Sequence, residues 1–314
     1  MGDLAPSGEQ HTISAGDQEL VVVEVGGGIR TYRCGPSDAP GSDVIDGYPT
    51  EEMCSGGRGQ ILAPWPNRLG DGRFEWGGST WQVPLDEPER KNAIHGLVRW
   101  LPWRAEDRGE SWLRMGCRLH PRPGWPWPLR MSATYSLGEG GLEVGFTAVN
   151  EGGAGACPFG LGWHPYLAAF GGPVGELSLR LPADRAYIGD DRGLPVAVQA
   201  VEELGLDFRG GRLIADTQLD TGFTDLARSA EGRAVVEIRG RSEADAVQLW
   251  MDASYTHLMV YTGDTLSDEK RRRRGLAVEP MTCAPDMLRN GDGLLRLEEG
   301  QTFQGFWGLR KLKF

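Results

Sequence analysis

The 314-residue chain has no apolar run as long as the roughly 18 residues of a membrane-spanning helix. It has no surplus of basic residues. Against 44 Asp and Glu stand 33 Lys and Arg, a net charge of −11 that argues against nucleic acid and anionic membrane as partners. Its five cysteines, Cys34, Cys54, Cys117, Cys157 and Cys283, are odd in number and have no paired spacing. That reads as reduced thiols rather than a disulfide framework. Histidines number only five, with neither an HExxH nor a CxxC pair, so no metal is expected. Met1-Gly2-Asp3-Leu4-Ala5-Pro6 offers no basic stretch followed by an apolar one. No secretory signal is therefore expected, and the expected compartment is the cytoplasm. Also missing are a capped helical period, a β–α alternation, a Pro/Ser linker and a fixed-period repeat. Their absence weighs against doubly wound and TIM architectures and against separate domains.

Glycine, in contrast, is abundant: 47 residues, spread along the chain, about twice the usual share of roughly 7%. Many tight turns favour many short strands. Strand-like runs occur at Glu19–Val25, at Arg73–Trp76 and Ser79–Val83 around Gly77-Gly78, at Arg130–Leu137 and at Leu142–Val149. Others are Gly175–Leu181, Ala234–Ile238, Ala246–Met251 and Leu258–Thr262. The expectation is all-β: one large antiparallel β-sandwich domain over residues 1–314, with residues 1–18 poorly ordered.

Four stretches carry polar groups in rigid settings. In Gly160-Leu161-Gly162-Trp163-His164-Pro165-Tyr166-Leu167, Pro165 restricts His164 to extended backbone and the glycines allow close approach. In Val278-Glu279-Pro280-Met281-Thr282 a carboxylate follows an apolar run, and Pro280 is expected to end strand pairing. A histidine and a glutamate so held suit a proton donor and a proton acceptor. In Pro64-Trp65-Pro66-Asn67-Arg68-Leu69-Gly70 the guanidinium offers directional bonds for hydroxyls. Asn92-Ala93-Ile94-His95-Gly96-Leu97 adds a further donor, His95.

Taken in this order, the four stretches resemble the aldose 1-epimerase (galactose mutarotase) family, in its bacterial branch. The resemblance runs from about residue 19 to the C-terminus and implies a two-sheet supersandwich. It also implies interconversion of α and β anomers of an aldohexose. The anomeric hydroxyl loses a proton, the ring oxygen gains one, the ring opens and recloses on the other face. A base and an acid suffice, so the resemblance implies no cofactor. By the resemblance Glu279 is the base and His164, as imidazolium, the acid, giving a bell-shaped pH profile with one limb for each. Asn67, Arg68 and His95 then bind substrate, and so does an aspartate that is either Asp220 or Asp225, with Asp220 fitting better. Trp65 and Trp163, close to site residues in sequence, are expected as ring platforms, and Tyr261 as packing beneath the site.

Alternatives remain at this level. Arg271-Arg272-Arg273-Arg274 after Lys270 suits a phosphate, hence a hexose-6-phosphate 1-epimerase, although such runs are usually solvated loops. A non-catalytic carbohydrate-binding protein on the same scaffold is a third reading. A glycoside hydrolase is disfavoured because only Glu279, not a carboxylate pair, has a special setting. The expected partner is a small-molecule sugar, with no nucleic acid or membrane, and the chain is expected as a monomer or weak homodimer.

Overall fold

The computed structural model describes residues 5–36, 41–242 and 245–312. Alternating sequence produces alternating burial. Leu129, Met131, Ala133, Tyr135 and Leu137 of strand Leu129–Gly138 turn inward, as do Leu142, Val144, Phe146 and Ala148 of strand Gly141–Asn150. These two strands pair in register within a nine-stranded antiparallel sheet. Thr302–Lys311 and Ala246–Met251 extend it on one side, and Trp112–Leu119 on the other. A second sheet of eight strands contains Asp220–Leu226, His257–Tyr261 and Gly275–Met281 side by side. Gly162–Trp163 and Tyr166–Ala168 both pair with Gly275–Met281. The only α-helix among the described residues is Met287–Asn290.

The sheets share one apolar core. Trp163, from the eight-stranded sheet, packs 5.3 Å from Trp307 and 6.1 Å from Phe146, both from the nine-stranded sheet (ring centroids). Leu258, Val260, Leu276 and Val278 join the same core. The expected hairpin is present: Arg73–Trp76 pairs with Ser79–Gln82 across Gly77 and Gly78, both at positive φ.

Two expectations are corrected. Residues 10–18 are not loose: Gln10–Ala15 pairs with Gln18–Val23, because alternating Ile13 and Leu20 bury there. The part of that expectation on residues 1–4 lies outside the described residues. Pro280 does not end its strand, since Leu258 pairs with Pro280 and His257 with Met281. Its missing N–H leaves a gap in the ladder on the opposite side, between the bonds from Val278 to the Pro165 carbonyl and from Thr282 to the Leu161 carbonyl.

That interruption positions the site. Gly162 pairs with Met281 and Tyr166 with Ala277. Continuing either register puts His164 across from Glu279. Two rows of side chains then cross the outer face of the sheet: Met259, Glu279 and His164, and beside them Asp220, Tyr261, Ala277 and Tyr166. Strand alternation turns Trp163 and Val278 to the core and their neighbours His164 and Glu279 to the opposite face.

Candidate active site

An open cleft of about 540 Å³ lies over this face, lined by both rows and by the loops above them. Its floor is the His164–Glu279 pair, Nε2 to Oε1 3.4 Å, with both side chains almost wholly buried. Neither group is satisfied by the protein: His164 Nδ1 and Glu279 Oε2 have no partner. Buried polar groups are normally paired, so this pair is poised for something else. Burial disfavours both charged forms. It draws the His164 imidazole down to about 3, with Arg58 and Arg99 acting in the same direction. It holds the Glu279 carboxyl well above the usual carboxylate range, with Asp220 adding to the rise and Arg68 opposing it. Both shifts favour the uncharged forms, a neutral imidazole beside a protonated carboxyl.

His164 is held by its neighbours. Its N–H donates to the Gln60 carbonyl (3.1 Å) and its carbonyl accepts from Gly59 (2.9 Å). Its ring stacks on Tyr166 at 5.0 Å and 15°, and meets His95 edge-on at 5.3 Å. Gly162 must be glycine, because a Cβ there would fall 2.7 Å from Pro66 Cβ.

Asn67 and His95 face each other just past the short ladder of Arg68–Gly70 with Asn92–Ile94. Both have left-handed backbone, φ 55° and 64°, a conformation most residues avoid. In exchange the Asn67 N–H donates to His95 Nδ1 (3.2 Å) and the His95 N–H to the Asn67 carbonyl (2.9 Å). An accepting Nδ1 puts the proton of neutral His95 on Nε2, leaving a donor. Burial first, then His164, Arg99 and Arg68, hold this imidazole well below its usual range. Asn67 Oδ1 caps the Arg68 N–H (2.8 Å).

Arg68 bonds Glu87 through Nε and Nη2, and its Nη1 lies 3.6 Å from Asp220 Oδ2. Burial opposes its charge, but Asp220 and Glu87 outweigh burial and raise it. Asp220, not Asp225, lines the cleft. Tyr261, paired with Asp220, also lines it rather than packing beneath, and its hydroxyl meets Thr265 Oγ1 at 2.9 Å.

The platform expectation for the tryptophans is corrected. Trp65 is buried against Trp125, 5.7 Å away, and Trp163 lies in the inter-sheet core with its Nε1 on the Tyr255 hydroxyl. Nearness in sequence misled: Trp163 ends a strand beside His164 and so points inward, and Trp65 lies in the loop between strands Ile61–Leu62 and Arg68–Gly70 with its ring in the core. The arginine run is largely spoken for. Arg271 bonds Glu52, Arg272 bonds Glu269 and Arg273 bonds Asp264. Sequence reading passed over Glu87, Asp86 and the Ser55-Gly56-Gly57-Arg58 loop, all of which line the cleft. The glycine pair before a lone arginine was the available signal for the loop.

A profile of the family described as aldose 1-epimerase matches residues 9–309. The uncharacterized protein YihR of Escherichia coli K12 is 33% identical over 306 residues, covering 96% of this chain and 93% of YihR. Among solved structures, the GalM/aldose epimerase homologue of C. elegans matches with a TM-score of 0.81 at 17% identity, covering 97% of this chain and 100% of the other. Galactose 1-epimerase of Lactobacillus acidophilus NCFM matches with 0.78 at 18%, covering 97% and 95%. The fold is the galactose mutarotase-like β-sandwich, and the chain belongs to the aldose 1-epimerase family.

Proposed function

We propose that the protein is an aldose 1-epimerase acting on a neutral aldohexose, with Glu279 and His164 as its base and acid. The observation that carries this is the facing pair itself: two titratable groups 3.4 Å apart, each with an unpartnered polar atom, at the floor of an open cleft. Anomer exchange needs one proton taken from O1 and one given to the ring oxygen, with no net change. A pair sharing a single proton always holds one donor and one acceptor.

In one direction Glu279 accepts the O1 proton while His164 protonates the ring oxygen, and in the other the roles exchange. The raised carboxyl and the lowered imidazole favour the shared proton on Glu279 in the free cleft. This direction therefore begins by passing it to His164, which leaves the pair at zero net charge. His95 donates from Nε2 to the ring or anomeric oxygen. Arg68 and Asp220 supply a donor and an acceptor for adjacent hydroxyls, and Asn67 fixes the backbone that presents Arg68. The protein is proposed to work as one domain.

A phosphosugar is not favoured. The four cleft arginines already hold carboxylates: Arg58 with Asp46, Arg68 with Glu87, Arg99 with Asp86, and Arg271 with Glu52. The test is polarimetry on freshly dissolved α-glucose and α-galactose, wild type beside Glu279→Gln. Faster decay of rotation with wild type alone supports the reading. Equal decay with and without wild type, on these sugars and on hexose 6-phosphates, would put a carbohydrate-binding protein in its place.

A further inference from the structure

We propose that Arg58 is a positioning residue for this reaction: acting through the Tyr166 ring, and with the backbone of Gly56 and Gly57, it fixes the orientation of the His164 imidazole. The proposal deepens the epimerase reading and rests on it for its kinetic readout only. Four groups form a column. Asp46 Oδ2 accepts from Arg58 Nε (3.3 Å) and Nη2 (3.2 Å). The Arg58 guanidinium lies 4.4 Å over the Tyr166 ring, and Tyr166 stacks on His164. A fully buried arginine with one carboxylate and one ring as neighbours is an unusual use of a cation, and only 2% of Arg58 is exposed.

The loop that carries Arg58 closes the column from the side. The Tyr166 hydroxyl donates to the Gly56 carbonyl (2.9 Å), and Arg58 Nη1 to the Ser55 carbonyl (3.1 Å). Gly57, at φ 76°, lays its backbone against the imidazole, where a Cβ would fall 2.6 Å from His164 Cδ2. One face of the imidazole is thus taken by Tyr166, an edge by Gly57, and Nε2 points at Glu279. A ring clamped in this way has one orientation to offer a substrate, which is what proton transfer at fixed geometry requires.

Arg58 also opposes charge on His164. The charged and titratable groups facing the imidazole are Glu279 and Tyr166 on the sheet, His95 from the neighbouring ladder, and the cations Arg58 and Arg99. The two arginines are the fixed charges among these groups, and both disfavour imidazolium.

The experiment compares wild type, Asp46→Asn/Arg58→Met and Arg58→Lys by NMR titration of the His164 imidazole, assigned with His164→Gln, and by polarimetry. The paired variant removes both ends of the ion pair, so no carboxylate is left alone. Expected are no wild-type titration between roughly pH 5 and 8, an upward move in the paired variant, and return toward wild type with Arg58→Lys. The kcat of the paired variant should fall roughly 10- to 100-fold with KM little changed. If the paired variant does not fold, Tyr166→Leu, which keeps the ion pair, carries the same kinetic test beside Tyr166→Phe, which keeps the stack. Folded variants with the wild-type titration and wild-type kcat overturn the proposal. A moved titration in a protein that accelerates no sugar leaves the positioning intact and defeats the epimerase reading instead.

Discussion

His164 stands directly across an interrupted strand ladder from Glu279, and the register shared by the pairs on either side of the interruption is what brings their side chains together. Regular pairing on both sides, Gly162 with Met281 and Tyr166 with Ala277, fixes the register. Pro165 and Pro280 lie inside the gap. A sheet thus delivers an acid and a base to one point with the precision of its hydrogen-bond register, rather than with that of a loop.

The first prediction concerns that pair. Glu279→Gln keeps shape and adds no charge at a site whose burial favours the protonated carboxyl, so the variant should fold. Its kcat should drop roughly 10²- to 10⁴-fold. His164→Gln should cost about as much, and the double variant little more, because either partner alone cannot complete the exchange. Polarimetric kcat and KM on all three variants check this.

The pH dependence follows from the shifted groups. The active form holds one proton on the pair. Its acid limb adds a second proton at His164, whose pKa is lowered to about 3, and its basic limb removes the proton from Glu279, which is raised. The bell should therefore be wide, with activity persisting below the usual histidine range and above the usual carboxylate range. This moves the limbs from where unshifted groups would put them. A profile of kcat/KM that falls with an apparent pKa near 6.5 would contradict it.

Stability carries the same signature with a definite sign. Glu279 has a raised folded pKa. Its contribution is fully present below the unfolded value of about 4.3 and is lost as pH rises toward the folded value, at up to about 1.4 kcal/mol per pH unit. Glu279→Gln removes that loss. The variant should gain on wild type in Tm as pH is raised from about 5 to 7. A Tm difference that stays constant over this range would show that the carboxyl is not held protonated.

Much of this was legible in the chain. Alternation in Leu129–Gly138 and Gly141–Asn150 declared a two-sided sheet, and His164 and Glu279 stood out by their proline and glycine neighbours. Strands such as Gly275–Met281, buried at every position, have no alternation to read. Pairing between distant segments was equally invisible, so Glu87 and Asp86 could not be tied to Arg68 and Arg99. Trp163 failed for a local reason: a strand sends consecutive residues to opposite faces, so adjacency to His164 is a sign of facing away, whereas Trp65 lies in a loop whose packing against Trp125 is a distant contact.

Substrate binding separates two aspartates. Asp220 lies 3.6 Å from Arg68 in the cleft, while Asp225 lies outside it. Asp220→Asn should raise KM roughly 10-fold, the value of one charge-assisted hydrogen bond of about 1.5 kcal/mol, and Asp225→Asn should leave KM unchanged. Arg68→Lys should raise KM as well, because an ammonium cannot keep both bonds to Glu87 and still reach Asp220. Initial-rate polarimetry across sugar concentration distinguishes these outcomes.

Trp163 offers the sharpest contrast between core and site. Its ring fills the space between the sheets against Trp307, Phe146 and Tyr135. Trp163→Ala should cost about 3–5 kcal/mol of stability through the lost burial and the cavity left behind. Below the lowered melting temperature, the KM for sugar should stay within about twofold, because the removed ring touches the opposite face of the sheet from the cleft. A sugar platform would behave in the opposite way, with KM rising and stability little altered. Chemical denaturation and polarimetry on the one variant decide between them.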